Sequence, residues 1–236
     1  MNKIWAITKK ELAAYFQSPI AYIILIVTIP VFNMFFFIII DNNQEATLRD
    51  VFKVMEFLLV FIVPLLTMKT FAEEKAAGTM EFLMTTPTRN TAIVLGKYLG
   101  SFLFFTLIIA LTSAYYFIVE FFGAPDRAAA LTGYLGIWLE GAMFIAIGLL
   151  ISSLTRSQIV AAICSYVVLF LLYFSMTFIQ YTQGAAETVV RYVTTFSHAE
   201  NFNVGLITTA DLTYYLSSII FCLVLTRISI ENRLWR

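Results

Sequence analysis

Glu140 stands alone in a mostly apolar run from Leu131 to Ile151. An ionised carboxylate at the centre of a bilayer costs about 2.5–3.5 kcal/mol on insertion scales, so this side chain must face protein or water rather than lipid. Gly133 and Gly136 lie seven and four residues before it, on the same helical face, where a neighbouring helix can approach closely. Two readings follow: an intramembrane polar residue of a translocation path or dimer interface, or a protonated Glu bonded to a neighbouring helix. Other candidates for chemistry are sparse. His198 is the sole histidine, with no cysteine or paired carboxylates nearby, which favours a satisfied polar contact over a metal site. Cys164 and Cys222 sit inside apolar runs without a spaced set, which favours packing over a disulfide or metal role. An H-E-x-x-H helix is absent, and the aspartates fall in connections or at a span end, so intramembrane protease chemistry has no support. Gly96-Lys97 is followed by Tyr98 and lacks an earlier glycine at phosphate-loop spacing, so no nucleotide or other cofactor is expected on this chain.

The elements that carry these residues are membrane spans. Hydrophobic residues make up 60% of the chain and charged residues 13%, against roughly 25% charge in an ordinary soluble domain. The apolar residues gather in blocks of about 20, the length that crosses ~30 Å of hydrocarbon. Six spans can be drawn, near 20–40, 54–71, 91–119, 131–152, 158–180 and 211–228. An even number puts both termini on one side. Eleven Lys and Arg then fall on the terminal face and four on the other, which places both termini in the cytoplasm. The expected fold is an all-α membrane protein, one domain over residues 1–236. The first apolar run, Ile20 to Ile40, is too long for a cleaved signal.

Residues 1–18 read as an amphipathic interfacial helix. Ile4, Trp5, Ile7, Leu12, Tyr15 and Phe16 share one half, while Lys3, Lys9, Lys10 and Gln17 share the other. Such a helix is expected in the headgroup plane, basic face toward anionic lipid. Ser18-Pro19 marks an elbow before span one. Glu11 falls on the apolar half, either pairing with a base at the ends of the spans or contacting a partner. Glu56 and Glu120, near outer span ends, are expected to reach water. The 181–210 segment is too apolar for a plain loop. Val189, Val190, Tyr192, Val193, Phe196, Phe202, Val204, Leu206 and Ile207 call for burial, which two short outer re-entrant helices would provide.

The polar stretch Phe71–Lys97 holds three Glu, one Arg, two Lys, two Gly and a Pro. Span two is expected to run on through Glu73-Glu74 as helix, with Glu74, Gly78 and Glu81 on one polar face and Ala76, Met80 and Leu83 on another. Thr86 then reads as an N-cap and Pro87 as the first residue of the helix that becomes span three. A stiff charged hairpin rooted in two spans suits a device that receives a push from a soluble partner. It also suits an ordinary solvated hairpin.

Several residue sets here resemble the ABC-2 type transporter permeases. They are Pro64-Leu65-Leu66-Thr67-Met68, Ala72-Glu73-Glu74-Lys75, Gly78-Thr79-Met80-Glu81-Phe82-Leu83, Thr86-Pro87, Leu95-Gly96-Lys97, Gly133-Tyr134-Leu135-Gly136, and Ser152 through Ala162. The subgroup most similar holds the gliding-motility permease and the permease of nitrous-oxide-reductase maturation. The resemblance implies a permease subunit of an exporter in the bacterial inner membrane, not an enzyme itself. Residues 72–90 would be its cytoplasmic coupling helix, with Glu73, Glu74, Gly78, Glu81, Thr85 and Pro87 forming or shaping the ATPase contact. Implied partners are two copies of an ABC ATPase subunit, which would use ATP and Mg, a second permease copy or related permease, and a periplasmic auxiliary subunit. Lipid is a partner and nucleic acid is not. A non-ABC channel or scaffold is the rival reading, and it has no need of the charged hairpin.

Overall fold

The computed structural model describes residues 3–43, 47–80, 88–175, 177 and 185–231. Its regular elements are all α-helices: α1 (Lys3–Gln17), α2 (Pro19–Asn43), α3 (Arg49–Thr67), α4 (Lys69–Ala76), α5 (Asn90–Thr112), α6 (Ala114–Phe122), α7 (Arg127–Leu154), α8 (Gln158–Phe174), α9 (Ala185–Val193), α10 (Thr195–Asn203) and α11 (Thr209–Glu231). Among the described residues five helices are long and apolar enough to cross a membrane: Pro19–Asn42, Arg49–Ala76, Asn90–Phe122, Arg127–Leu154 and Thr209–Glu231. The span expected at 158–180 is represented by α8, with 17 residues, or about 25 Å of helix. Residues 176 and 178–180, its expected continuation, lie outside the described residues.

α7 is the mast of the bundle, packed by α3, α4, α5, α8, α10 and α11. Small residues let its neighbours close in. Phe52 of α3 covers Gly133 and Phe202 of α10 covers Gly136, the glycine stripe expected beside Glu140. Asp126 caps the start of α7, its carboxylate accepting from Ala128 N at 2.9 Å and Ala129 N at 3.3 Å.

Two spans are broken in the middle for identifiable reasons. Pro64 lies inside α3, and the chain turns at Met68 before α4. Ser152 of α7 enters that break. Its hydroxyl accepts from Phe71 N and Ala72 N, both at 3.1 Å, and donates to Met68 O at 3.0 Å. A side chain inserted into the ladder supplies the bonds that the kink removes. The second break, at Ser113 between α5 and α6, is held by Tyr134, whose hydroxyl donates to Thr112 O at 2.6 Å.

α1 departs from the expected surface-lying helix. It docks along α5, with Ile7 against Gly96, Glu11 against Gly100 and Tyr15 stacked on Phe104 at 4.9 Å, advancing in the same direction on both helices. Gly96 and Gly100 form a small-xxx-small seat; a Cβ at Gly96 would lie 2.6 Å from Ile7 Cβ. Trp5 and Phe16, assigned to the buried half by periodicity, stay 48% and 40% exposed, because the seam on α5 is only wide enough for the stripe through Ile4, Ile7, Thr8, Glu11 and Tyr15.

The 181–210 segment does contain two short helices, α9 and α10. α10 turns Thr195, His198, Ala199 and Phe202 inward at helical spacing. Burial of the remaining apolar residues was expected, but Tyr192, Val193, Val204, Leu206 and Ile207 are exposed on this chain. A nine-residue helix buries one stripe, and the rest is left for lipid or another subunit.

Candidate functional site

The end of the molecule where α1, α4, α5 and α7 meet is built around Lys97. Its ammonium lies 2.8 Å from Glu11 of α1, 2.8 Å from Glu74 of α4 and 3.0 Å from the Thr70 carbonyl. The lysine side chain is 2% exposed, and the two carboxylates are 15% and 22% exposed. Three donors meet three acceptors, so the cation is fully satisfied. The Phe71 ring, with its centroid 5.3 Å away, completes the socket. Glu11 thus pairs with a base at the foot of a span, the first of the two options its odd position left open.

Further ties converge on α4. Lys69 donates to Ser18 Oγ at 2.8 Å, beside the elbow between α1 and α2. Lys75 donates to the Ser153 carbonyl at the end of α7, which also accepts from Ser229 Oγ of α11 at 3.2 Å. The Tyr15 hydroxyl donates to Leu66 O at 3.0 Å and lies 2.9 Å from Ser101 Oγ. α4 is therefore bonded directly to α5, to α7 and to the Ser18 elbow, and α1 is tied to it through Lys97.

Beyond α4 the chain leaves helical geometry. Ala77 N bonds Glu73 O at 2.9 Å, and Gly78 follows at φ +70, a left-handed conformation that glycine adopts without penalty. The helix that carries Glu74 is interrupted at Gly78, and Glu74 is drawn inward to Lys97; Glu81, the third residue of the expected face, lies outside the described residues. Glu73, Ala76, Ala77, Gly78 and Thr79 are exposed, whereas Met80 is buried. Glu81, Leu83, Thr85, Thr86 and Pro87 lie outside the described residues. The helix of the next span starts at Asn90 rather than at Pro87, since Arg89 is extended (φ −71, ψ 140) and accepts the first helical bond. Between α1 and α4 opens a cleft of roughly 350 Å³ bearing Lys10, Glu11, Lys69, Glu73, Glu74 and Lys97.

A family model described as ABC-2 family transporter protein matches residues 5–230, nearly the whole chain. The chain belongs to the ABC-2 transporter family. A search of curated proteins returned no match. With several helices of membrane-crossing length and apolarity, this ABC-2 transporter protein is a multi-pass membrane permease of a family that generally works with an ABC ATPase.

Away from the Lys97 end, the ABC-2 chain carries its other polar residues. Glu140 is 0% exposed, and neither carboxylate oxygen has a hydrogen-bond partner. Glu56 does not reach water as expected. It is 2% exposed and accepts from Asn203 Nδ2 at 2.8 Å, because α10 folds back over the end of α3. Glu120 does reach the surface, where it pairs with Arg127 at 2.9 Å. His198 is the satisfied polar contact expected of it, with Nδ1 2.6 Å from Asp211 Oδ1 and Nε2 3.1 Å from Tyr192 O. It stacks on Tyr214 at 4.1 Å. Asn201 and Thr208 also donate to Asp211, at 3.0 and 2.6 Å, tying α10 to the start of α11. Among the described residues no group of three metal-ligating acidic, His or Cys side chains occurs.

The residue that sequence reasoning missed is Lys97. In the sequence it stands only as the end of Leu95-Gly96-Lys97. The signal was present in two oddities, a lysine facing an apolar run and a glutamate on the apolar half of α1.

Proposed function

We propose that the chain is the permease half of an ABC exporter in the bacterial inner membrane, with six spans and both termini cytoplasmic. It works as a dimer, with itself or a related permease, beside two copies of an ATPase subunit that binds ATP and Mg. The ATPase docks on the exposed edge formed by Glu73, Ala77, Gly78 and Thr79, together with Glu81, Thr85 and Pro87 of the sequence that follows. The observation that carries this reading is the Lys97 knot. A push on α4 is passed directly to α1 and α5 through Lys97 and to α7 through Ser152, so the hairpin end cannot move alone. A solvated hairpin needs no buried cation holding it to two other helices. Resemblance to the gliding-motility subgroup supports a load at the cell surface.

Glu74 serves this edge from behind by fixing α4. Charge reversal of exposed Glu73 together with Glu81 is therefore the informative change. The double variant Glu73→Lys/Glu81→Lys is expected to insert normally and to lose co-purifying ATPase. Unaltered recovery of the ATPase by that variant defeats the docking assignment.

A further inference from the structure

Between α3, α7, α10 and α11, at membrane depth, lies a second polar cluster that force transmission does not use. Glu140 is fully buried with both oxygens unpartnered. The hydroxyls of Thr195 and Tyr215 and the amide oxygen of Asn203 are likewise buried without a hydrogen-bond partner. These groups belong together. Phe52 of α3 meets Gly133 of α7 and Thr67 meets Gly148, so the two helices run side by side in one register. Glu56, one turn beyond Phe52, comes level with the stretch of α7 just before Glu140. The Glu140 carboxyl interacts electrostatically with Glu56 and with the Thr195 hydroxyl, and the Tyr215 hydroxyl with both carboxyls. Glu56 is held by Asn203 at 2.8 Å, and its own outward neighbour is Glu200, which is exposed on α10. Glu200 precedes Asn203 by three residues on α10, and Asn203 holds Glu56, so the carboxyls lead from the surface toward the central helix.

Among the described residues no cation balances these carboxyls at the inner end. Lys53 stands near the end of α3, half exposed and bonded to Asp50 at 3.3 Å. His198 of α10 is engaged by Asp211 of α11. The other titratable groups that interact with the cluster are tyrosines: Tyr173 on α8 and Tyr214 beside Tyr215 on α11. An unpaired carboxylate in such a place is not tolerated; it is neutralised instead.

We propose that Glu140 and Glu56 form an intramembrane proton-binding site, with the proton resident on Glu140 and exchanging with water through Glu56 and Glu200. Thr195 and Tyr215 are the hydroxyls that orient the protonated carboxyl, and Asn203 fixes Glu56 as the relay. A proton enters from the aqueous phase at Glu200 for each one that leaves Glu140, so charge in the site is conserved. A metal ion fits less well: only two carboxylates face the site, and two of its other groups are hydroxyl donors. The site is independent of where the ATPase docks.

Infrared difference spectroscopy of the purified chain in lipid nanodiscs tests this. At neutral pH the wild-type protein is expected to show the carbonyl stretch of a protonated carboxyl. That band should vanish completely in Glu140→Gln and stay unchanged when Na⁺, K⁺, Ca²⁺ or Mg²⁺ is added. Should Glu140→Gln fail to assemble, Glu140→Asp retains an acid and must move the band. Glu200→Gln is expected to slow the band's exchange in D₂O several-fold. The proposal is overturned if the Glu140 variants leave the band untouched, or if an added metal ion replaces it with a carboxylate signal. An exchange rate unchanged in Glu200→Gln overturns the route.

Discussion

Lys97 is where one residue binds three helices. Removing its charge while keeping its length, as in Lys97→Met, leaves Glu11 and Glu74 facing each other in a confined space. The expected loss is on the order of 3 kcal/mol, the lower end for a broken buried pair because both carboxylates keep some water. Thermal unfolding in detergent checks it, and adding Glu11→Gln to Lys97→Met should cost less than the sum of the two single changes. Ser152→Ala removes the partner of two amides and a carbonyl at the kink after Pro64, an expected loss of about 1–3 kcal/mol by the same measurement. These roles were only half legible. Glu11 announced itself by sitting on the apolar half of its helix, but its partner lies 86 residues away, and helical periodicity holds no information about pairing between helices. Glu56 was misread for a related reason. Its depth is set by α10, a later element that folds back over it.

Among the elements, the seat of α1 on α5 is the contact most exposed to a simple test. Gly96→Ala places a methyl group 2.6 Å from Ile7 Cβ. Overpacking of this kind is expected to lower stability by about 1–3 kcal/mol, and Ile7→Gly in the same chain, which removes that Cβ, should recover part of it, less the ~1 kcal/mol cost of glycine inside a helix, read by the same thermal assay. Gly78 behaves differently. No heavy atom lies within 4 Å of where its Cβ would be, so Gly78→Val should cost only the ~1–2 kcal/mol of left-handed backbone. Its main effect is expected on ATPase association, measured by co-purification. The apolar blocks and the Ser18-Pro19 elbow were readable from periodicity and punctuation, and so was the pair of helices in 181–210. Helix α1 was given the right face and the wrong neighbour, because an amphipathic stripe fits a glycine-lined helix as well as a headgroup plane. The helix of the hairpin is interrupted at Gly78, where one left-handed residue shifts a register that side-chain spacing alone reads as continuous.

For the molecule as a whole, polar contacts concentrate at the two ends of α7. One end holds the Lys97 knot and the kink bonded by Ser152; the other holds the Glu56–Asn203 pair and the His198–Asp211 tie. α7 is 78% buried over its most apolar window, while the first span is 22% buried. A rigid mast with lightly packed outer spans suits a permease that moves one side against another, with apolar surface left exposed on the outer helices. The central claim is that force enters at the Gly78 end. A photo-reactive residue at exposed Ala77, in cells that make the native complex, measures this most directly when paired with one at Phe121, which is 84% exposed at the opposite end. The expected result is a covalent adduct at Ala77 with a polypeptide bearing a phosphate-binding loop, and none at Phe121. An ATPase adduct at Phe121 and none at Ala77 would contradict the account.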